Sequence, residues 1–403
     1  MLVHWNQCVH DRILGSNYCH DYGLETTLRN FWFGQKMSSQ AKSYYKNIDA
    51  LRTFACVLVF MQHGLANLVI PNFSEAGFIN ETIKRLFSAG DIGVSLFFVL
   101  SGFLITDLLL VELNEKDRIE YGRFFRRRCL RIWPVYYVVV TYAIIIYPLI
   151  KQLIGIKSQI EIGNPLLYFV FLGNFDVIHL GSGHGAGSTN ITWSVAIEQQ
   201  FYFMWPFLIY AFRKHLPLLF TAVIIISHCY CYMNMKDEWA IYFHTLSNMS
   251  FITTGAILAY LKKIKWTDQF IFLNRIAVTG IYFFGFLFVF YSHFLTPSYL
   301  YFLRNSLHSI YFAFVIFNQN DAIHSPIKLS NFRLCSNVAK FTYGFYLYHP
   351  ICLALTSLVV NFSLKTMNST LQSAIIAAIG LVTSCLVSYL SYYYFERYFL
   401  NLK

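Results

Sequence analysis

The feature that most constrains this chain is a series of apolar runs of about 20 residues, set apart by short charged loops. A helix of that length crosses a hydrocarbon core about 30 Å thick, and inside the core every backbone N–H and C=O must find its partner within the segment. Runs of this kind therefore read as membrane-spanning helices. The composition agrees: of 403 residues 56% are hydrophobic and 13% charged, where a soluble domain carries about 25% charge. The net charge of +11 does not point to nucleic acid, because the basic residues stand in loops beside the apolar runs, as positive-inside topology requires. Nine cysteines are scattered, mostly within apolar segments and without metal-ligand spacing. They read as small core residues, and no metal site is expected.

Length and charge predict an all-α polytopic membrane protein of about ten transmembrane helices, near 53–70, 92–111, 132–150, 192–212, 216–233, 241–261, 270–293, 299–317, 341–361 and 372–395. The stretch after the second run holds Lys116, Arg118, Arg123, Arg126, Arg127, Arg128 and Arg131 against Glu112, Glu115, Asp117 and Glu120. It is the most basic part of the chain and is expected in the cytoplasm, which places both termini inside. Residues 165–180 are short and carry Asn174 and Asp176, so a re-entrant or interfacial segment is expected there. A Gly-rich loop, 181–190, follows with His184; His179 lies beside it, and both have an open role. Residues 1–46 are expected to form a disordered N-terminal extension, with the natural start at Met37, and residues 47–403 the membrane domain.

The first run begins NIDALR and reaches His63 eleven residues after Arg52. At about 100° per residue both side chains project from nearly the same helix face, about 16 Å apart along the axis. With Arg52 at a membrane surface, His63 lies near mid-depth, where an ionisable residue is a functional-site hypothesis. One reading is a snorkelling arginine and a histidine hydrogen-bonded within the bundle. The other is a general base that takes a proton from a hydroxyl as it attacks an acyl carbonyl. Asp49 either holds Arg52 in place or forms a simple i,i+3 surface pair with it.

Other residues carry the same two-sided reading. The arginines of FFRRRCLRIWP either set topology and bind lipid headgroups or clamp the phosphates of a nucleotide-like donor, with Arg127 and Arg131 four apart on one face. Glu198 lies five residues beyond Trp193, an outer-interface anchor. It is expected to orient His63, bind acceptor hydroxyls or pair with an arginine. Ser194 lacks the GxSxG elbow of a nucleophilic serine. His349, in GFYLYHP, is either a helix-packing histidine or part of the site. Ser101 stands between Gly93 and Gly102 in GVSLFFVLSGF, where small residues permit close helix packing. Glu396 is expected to cap a helix or pair with the arginines.

Taken in order, NIDALR with its histidine, GVSLFFVLSGFLIT, FFRRRCLRIWPVYY, TWSVAIEQQFY, TYGFYLYHP and the terminal YYYFE resemble acyltransferase family 3, the integral-membrane O-acyltransferases of bacterial surface polysaccharides. The resemblance runs from Asn47 to the C-terminus, and the ordered set is far more specific than any single motif. It implies an acyl-CoA donor, usually acetyl-CoA, approaching from the cytoplasm, and a glycan or lipid-linked sugar acceptor across the membrane, such as O-antigen, other lipopolysaccharide or exopolysaccharide. It implies a bacterial inner-membrane location. Arg52 and His63 match the family's essential pair. Arg127 and Arg131, with Arg126 beside them, fall in the motif that holds the CoA phosphates, and Glu198 matches the WSLxxE-type carboxylate. Asp49, Trp193, Ser194, His349 and Ser101 are expected to support the substrate or the structure. The chain departs from the family in DALRT for the usual DGLRG, and in Glu396-Arg397-Tyr398 for a terminal E-x-P. Many members carry a fused periplasmic esterase-like domain; this sequence ends at Lys403 without one, so it is expected to complete the transfer itself or pass acyl groups to a separate periplasmic partner. The competing readings are acylation of a small molecule or lipid, and a proton-coupled transporter using Arg52, His63 and Glu198.

Overall fold

The structure, a computed structural model, describes residues 45–68, 78–153, 155, 163–181, 190–295, 300–331, 337–364 and 367–403. The chain divides into a unit Met1–Tyr45 and a unit Lys46–Lys403. The expected N-terminal extension up to residue 44, residues 182–189 of the Gly-rich loop with His184, and the loop residue Arg333 lie outside the described residues.

Every regular element among the described residues is helical, as the hydrocarbon setting demands of apolar runs. Helix α1 (Lys46–Phe60) ends in a π-helical turn, Met61–Ala66, closed by Asn67 N–H donating to the Gln62 carbonyl at 3.0 Å. A short α2 (Phe78–Phe87) leads into the 27-residue α3 (Gly90–Lys116), which stops where Asp117 adopts φ 51°. Helix α4 (Tyr121–Thr141) continues through a second π-turn into α5 (Tyr147–Leu153). Two short helices, α6 (Pro165–Phe169) and α7 (Gly173–Leu180), precede α8 (Thr192–Ala211). Then come α9 (Leu216–Met233), α10 (Glu238–Phe243), α11 (Thr245–Lys263), α12 (Arg275–Leu295) and α13 (Tyr301–Asn320). Helices α14 (Thr342–Ser363) and α15 (Ser369–Ser391), a third π-turn and α16 (Arg397–Asn401) complete the chain.

Among the described residues, seven helical stretches are long and apolar enough to cross a membrane: 47–66, 84–116, 121–153, 216–233, 275–292, 339–363 and 369–401. The other three expected spans, α8, α11 and α13, are continuous helices of 20, 19 and 20 residues with more polar sequences. Large apolar side chains point outward from these helices, among them Phe203 at 66% and Val382 at 66% exposure, a surface suited to lipid rather than water.

Helix α3 is the centre of the bundle and packs against α1 and α11. Gly102, a close-packing position by sequence, sits directly against the backbone of Ile252 on α11, and Gly255 of α11 sits against the backbone of Val99 and Phe103. A Cβ at either place would enter a main-chain carbonyl, so the two helices approach as closely as backbones allow. Helix α14 packs on α1 and α15.

Residues 165–180 do not form one helix. Helix α7, the longer piece, has eight residues and at about 1.5 Å per residue reaches only about 12 Å. The polar residues that made the stretch unusual pin it in place. Buried Asp176 accepts hydrogen bonds from Gly163 N–H (3.0 Å), Asn164 N–H (2.8 Å) and the Tyr168 hydroxyl (3.2 Å). Asn174 Nδ2 donates to the Phe243 carbonyl at 3.1 Å, and Gln200 Nε2 donates to Asn174 Oδ1 at 2.9 Å.

Candidate active site

Five helices converge on a cavity: α1 contributes Arg52, α3 Ser101, α4 Arg128 and Arg131, α8 Glu198, and α14 Tyr346. Glu198 anchors the polar wall. Ser101 Oγ donates to Glu198 Oε1 at 2.5 Å, and the Tyr202 hydroxyl, one turn further along α8, lies 3.3 Å from Glu198 Oε2 and 3.2 Å from Ser101 Oγ. Arg52 Nη1 pairs with Asp49 at 3.3 Å. The Arg128 guanidinium lies over the rings of Phe124 (5.7 Å) and Tyr202 (5.8 Å), and its buried Nε has no hydrogen-bond partner. Three guanidinium groups thus line a half-open cavity with one carboxylate. Such a site holds an anion with planar oxygens, because arginine presents paired donors and the low-dielectric walls concentrate the field.

Beside this cavity stands a histidine pair. His349 Nε2 and His63 Nδ1 are 3.1 Å apart, with ring centroids at 5.1 Å. His349 has 0% exposure, whereas His63 is partly open. Tyr346 links the two regions: it lines the cavity, its ring lies 6.2 Å from that of His349, and its hydroxyl shares a 2.6 Å hydrogen bond with Ser194 Oγ. His63 lies on the π-helical turn, whose Gln62 side chain accepts from Gly90 N–H at 2.7 Å and so ties the end of α1 to the start of α3. π-turns recur at functional sites because the extra residue re-aims side chains that a regular helix would stack.

Residues 45–393 match the acyltransferase domain model, Acyl_transf_3. The chain belongs to this acyltransferase family. It is 29% identical over 242 residues to the peptidoglycan O-acetyltransferase OatA of Listeria monocytogenes, covering 56% of this chain and 35% of that protein. It is 31% identical over 175 residues to the putative peptidoglycan O-acetyltransferase YrhL of Bacillus subtilis (42% and 24%). The O-acetyltransferase OatA of Staphylococcus aureus is 26% identical over 243 residues (54% and 35%). The matched segments span about a third or less of these relatives. No solved structure matches the chain. With seven membrane-competent helices among the described residues, this member of the family is an integral membrane protein.

The arginines at the start of α4 are arranged differently from the sequence expectation. The basic cluster is not a loop before the third span: Arg123 to Arg131 lie in the first three turns of α4. Arg131 lines the cavity, and the arginine beside it there is Arg128 rather than Arg127 or Arg126. Arg126 is exposed and donates to the Leu402 carbonyl at 2.8 Å. The signal for Arg128 lies in the buried residues Phe124, Ile132, Val135, Tyr136, Val139 and Val140. Measured from Phe124 at about 100° per residue, these span about 0° to 160°; Arg128 at about 40° lies within that face and Arg131 at about −20° at its edge, while Arg127 at about −60° and Arg126 at about 200° fall outside it.

Ser101 and Ser194 line the cavity, and Asp49 holds Arg52 from outside it. Trp193 is packed at 7% exposure against Phe98, Tyr242 and Phe243. The hydrogen bonds of Glu198 run to Ser101 and Tyr202, and that of His63 runs to His349. Glu396 is buried, accepts from Ser391 at 3.1 Å and occupies the space that Gly344 leaves on α14.

Proposed function

We propose that this protein is an O-acetyltransferase of the bacterial cytoplasmic membrane, moving an acetyl group from cytoplasmic acetyl-CoA to a hydroxyl of a cell-wall glycan. The observation that carries the reading is the cavity in which Arg52, Arg128 and Arg131 face Glu198, with the His63–His349 pair beside it. The relatives' names, all of them O-acetyltransferases and two of them acting on peptidoglycan, favour a glycan acceptor. O-antigen and exopolysaccharide offer the same hydroxyl chemistry.

In the proposed arrangement ten helices cross the membrane with both termini inside, and 163–181 enters without crossing. The arginine end of α4 then faces the cytoplasm, as the charge of residues 116–131 requires. Arg127 draws the polyanionic donor inward, and Arg128, Arg131 and Arg52 take its phosphates through paired N–H donors. Glu198, fixed by Ser101 and Tyr202, keeps the guanidinium groups apart and ordered. The acceptor hydroxyl reaches His63 from the opposite side. His63 removes the hydroxyl proton as the oxygen attacks the thioester carbonyl; the C–S bond breaks, and the sulfur leaves as free CoA thiol after taking the proton back. A base at mid-depth suits a reaction whose two substrates arrive from opposite faces.

The test is mass spectrometry of cell-wall glycan from cells making the wild type, His63→Ala or neither, at equal membrane abundance. The proposal expects added acetyl mass with the wild type alone. Glycan acetylation that survives in His63→Ala removes His63 as the base, and no acyl change in any strain removes the glycan acceptor.

A further inference from the structure

We propose that His349 is a positioning residue that fixes His63 in one tautomer, with hydrogen on Nδ1 and the lone pair of Nε2 presented to the acceptor. This rests on the reading of His63 as the base. Donors and acceptors along a short chain of contacts assign the tautomer. His349 Nδ1 lies 3.1 Å from the Phe345 carbonyl. A carbonyl cannot donate, so Nδ1 of His349 carries the hydrogen. A neutral imidazole has one N–H, which leaves His349 Nε2 as an acceptor. Its neighbour at 3.1 Å is His63 Nδ1, and for a hydrogen bond to exist there the hydrogen must sit on His63 Nδ1. His63 Nε2 is then the unprotonated nitrogen.

The reverse arrangement, with His349 Nε2 donating, requires either two lone pairs opposed at the Phe345 carbonyl or a doubly protonated His349. The surroundings of His349 disfavour the cation: it has 0% exposure, stacks on Phe345 at 5.9 Å and meets the edge of Phe60 at 6.0 Å. The burial of His349 and the partial exposure of His63 fit the division of labour: the buried ring orients, and the open ring meets substrate. An unconstrained imidazole exchanges its hydrogen between both nitrogens, and a base with the hydrogen on the substrate-facing atom cannot accept another.

The experiment uses the full chain, labelled with ¹⁵N-histidine in lipid nanodiscs, with His63 resonances assigned by their loss in His63→Ala. The wild type should show protonated Nδ1 and unprotonated Nε2 at neutral pH. His349→Gln, whose amide oxygen reaches the position of the missing acceptor, should keep that tautomer and most of the activity. His349→Leu should shift His63 toward the Nε2–H tautomer and lower kcat about 10²-fold, with KM for acetyl-CoA unchanged. A protonated Nε2 in the wild type would overturn the proposal, as would a His349→Leu protein with the wild-type tautomer and kcat. If the acetyltransferase reading itself fails, no variant releases CoA thiol, yet the resonances still report whether His349 sets the tautomer.

Discussion

Replacing Arg128 by Met tests the anion site at the residue most deeply committed to it. The thioether side chain fills most of the space of the arginine stem and keeps contact with Phe124, so the change is one of charge and donors. Arg128 has a buried Nε without a partner, poised for a ligand oxygen. A hydrogen bond between charged groups contributes about 1.5–3 kcal/mol net, which converts to about a 10- to 150-fold loss of affinity. The assay is equilibrium binding of CoA to the protein in nanodiscs, with pantetheine, which lacks the nucleotide phosphates, as the control. Arg128→Met should weaken CoA by that factor and leave pantetheine unaffected, and Arg128→Lys, which keeps charge but loses the planar fork, should fall between. Arg126→Met should be nearly silent, because Arg126 is exposed and outside the cavity. A CoA affinity unchanged in Arg128→Met but reduced in Arg126→Met would refute the assignment of donor-holding arginines.

Three further outcomes follow from the same structure. Glu198→Gln keeps an acceptor for Ser101 but removes the charge that orders the arginines, so kcat should fall at least about 10-fold while CoA binding does not weaken; parallel kinetics and binding check both. Gly102→Val forces a branched side chain into the backbone of Ile252 and should cost at least about 1–3 kcal/mol, read as a lower unfolding temperature in detergent, whereas Gly122→Ala, with nothing within 4 Å of the new Cβ, should be neutral or stabilising. Asp176→Ala leaves two N–H groups and the Tyr168 hydroxyl without their acceptor; hydrogen exchange across 163–181 should rise well before the bundle loosens.

Much of this architecture is legible in the sequence because a membrane leaves few choices. Apolar length predicts helices, and most observed boundaries fall within about five residues of those read from hydropathy and charge, a difference of the size that helix-end definitions alone produce in part. Gly93 and Gly102 announce close packing for α3, and Gly102 indeed meets bare backbone. The Arg52–His63 spacing is visible because both lie on one continuous helix. What cannot be read is of two kinds. The π-turn at Met61–Ala66 follows no simple residue pattern, since it answers to packing of Gln62 against Gly90. The His63–His349 contact joins residues 286 apart in the chain, and no local periodicity encodes a long-range pair. Arg128 is an intermediate case: a four-residue spacing made Arg127 the natural companion of Arg131, but the buried face from Phe124 to Val140 includes Arg128 and leaves Arg127 outside.

The central claim, that this protein moves an acyl group from CoA with His63 as base, is tested most directly by thiol release. Purified protein in proteoliposomes is given acetyl-CoA and a soluble glycan acceptor on opposite faces, and free CoA thiol is followed with the wild type and His63→Ala. The account predicts acceptor-dependent release by the wild type and a fall of about 10²-fold or more in His63→Ala, with CoA binding intact. Equal rates in the two proteins would contradict it.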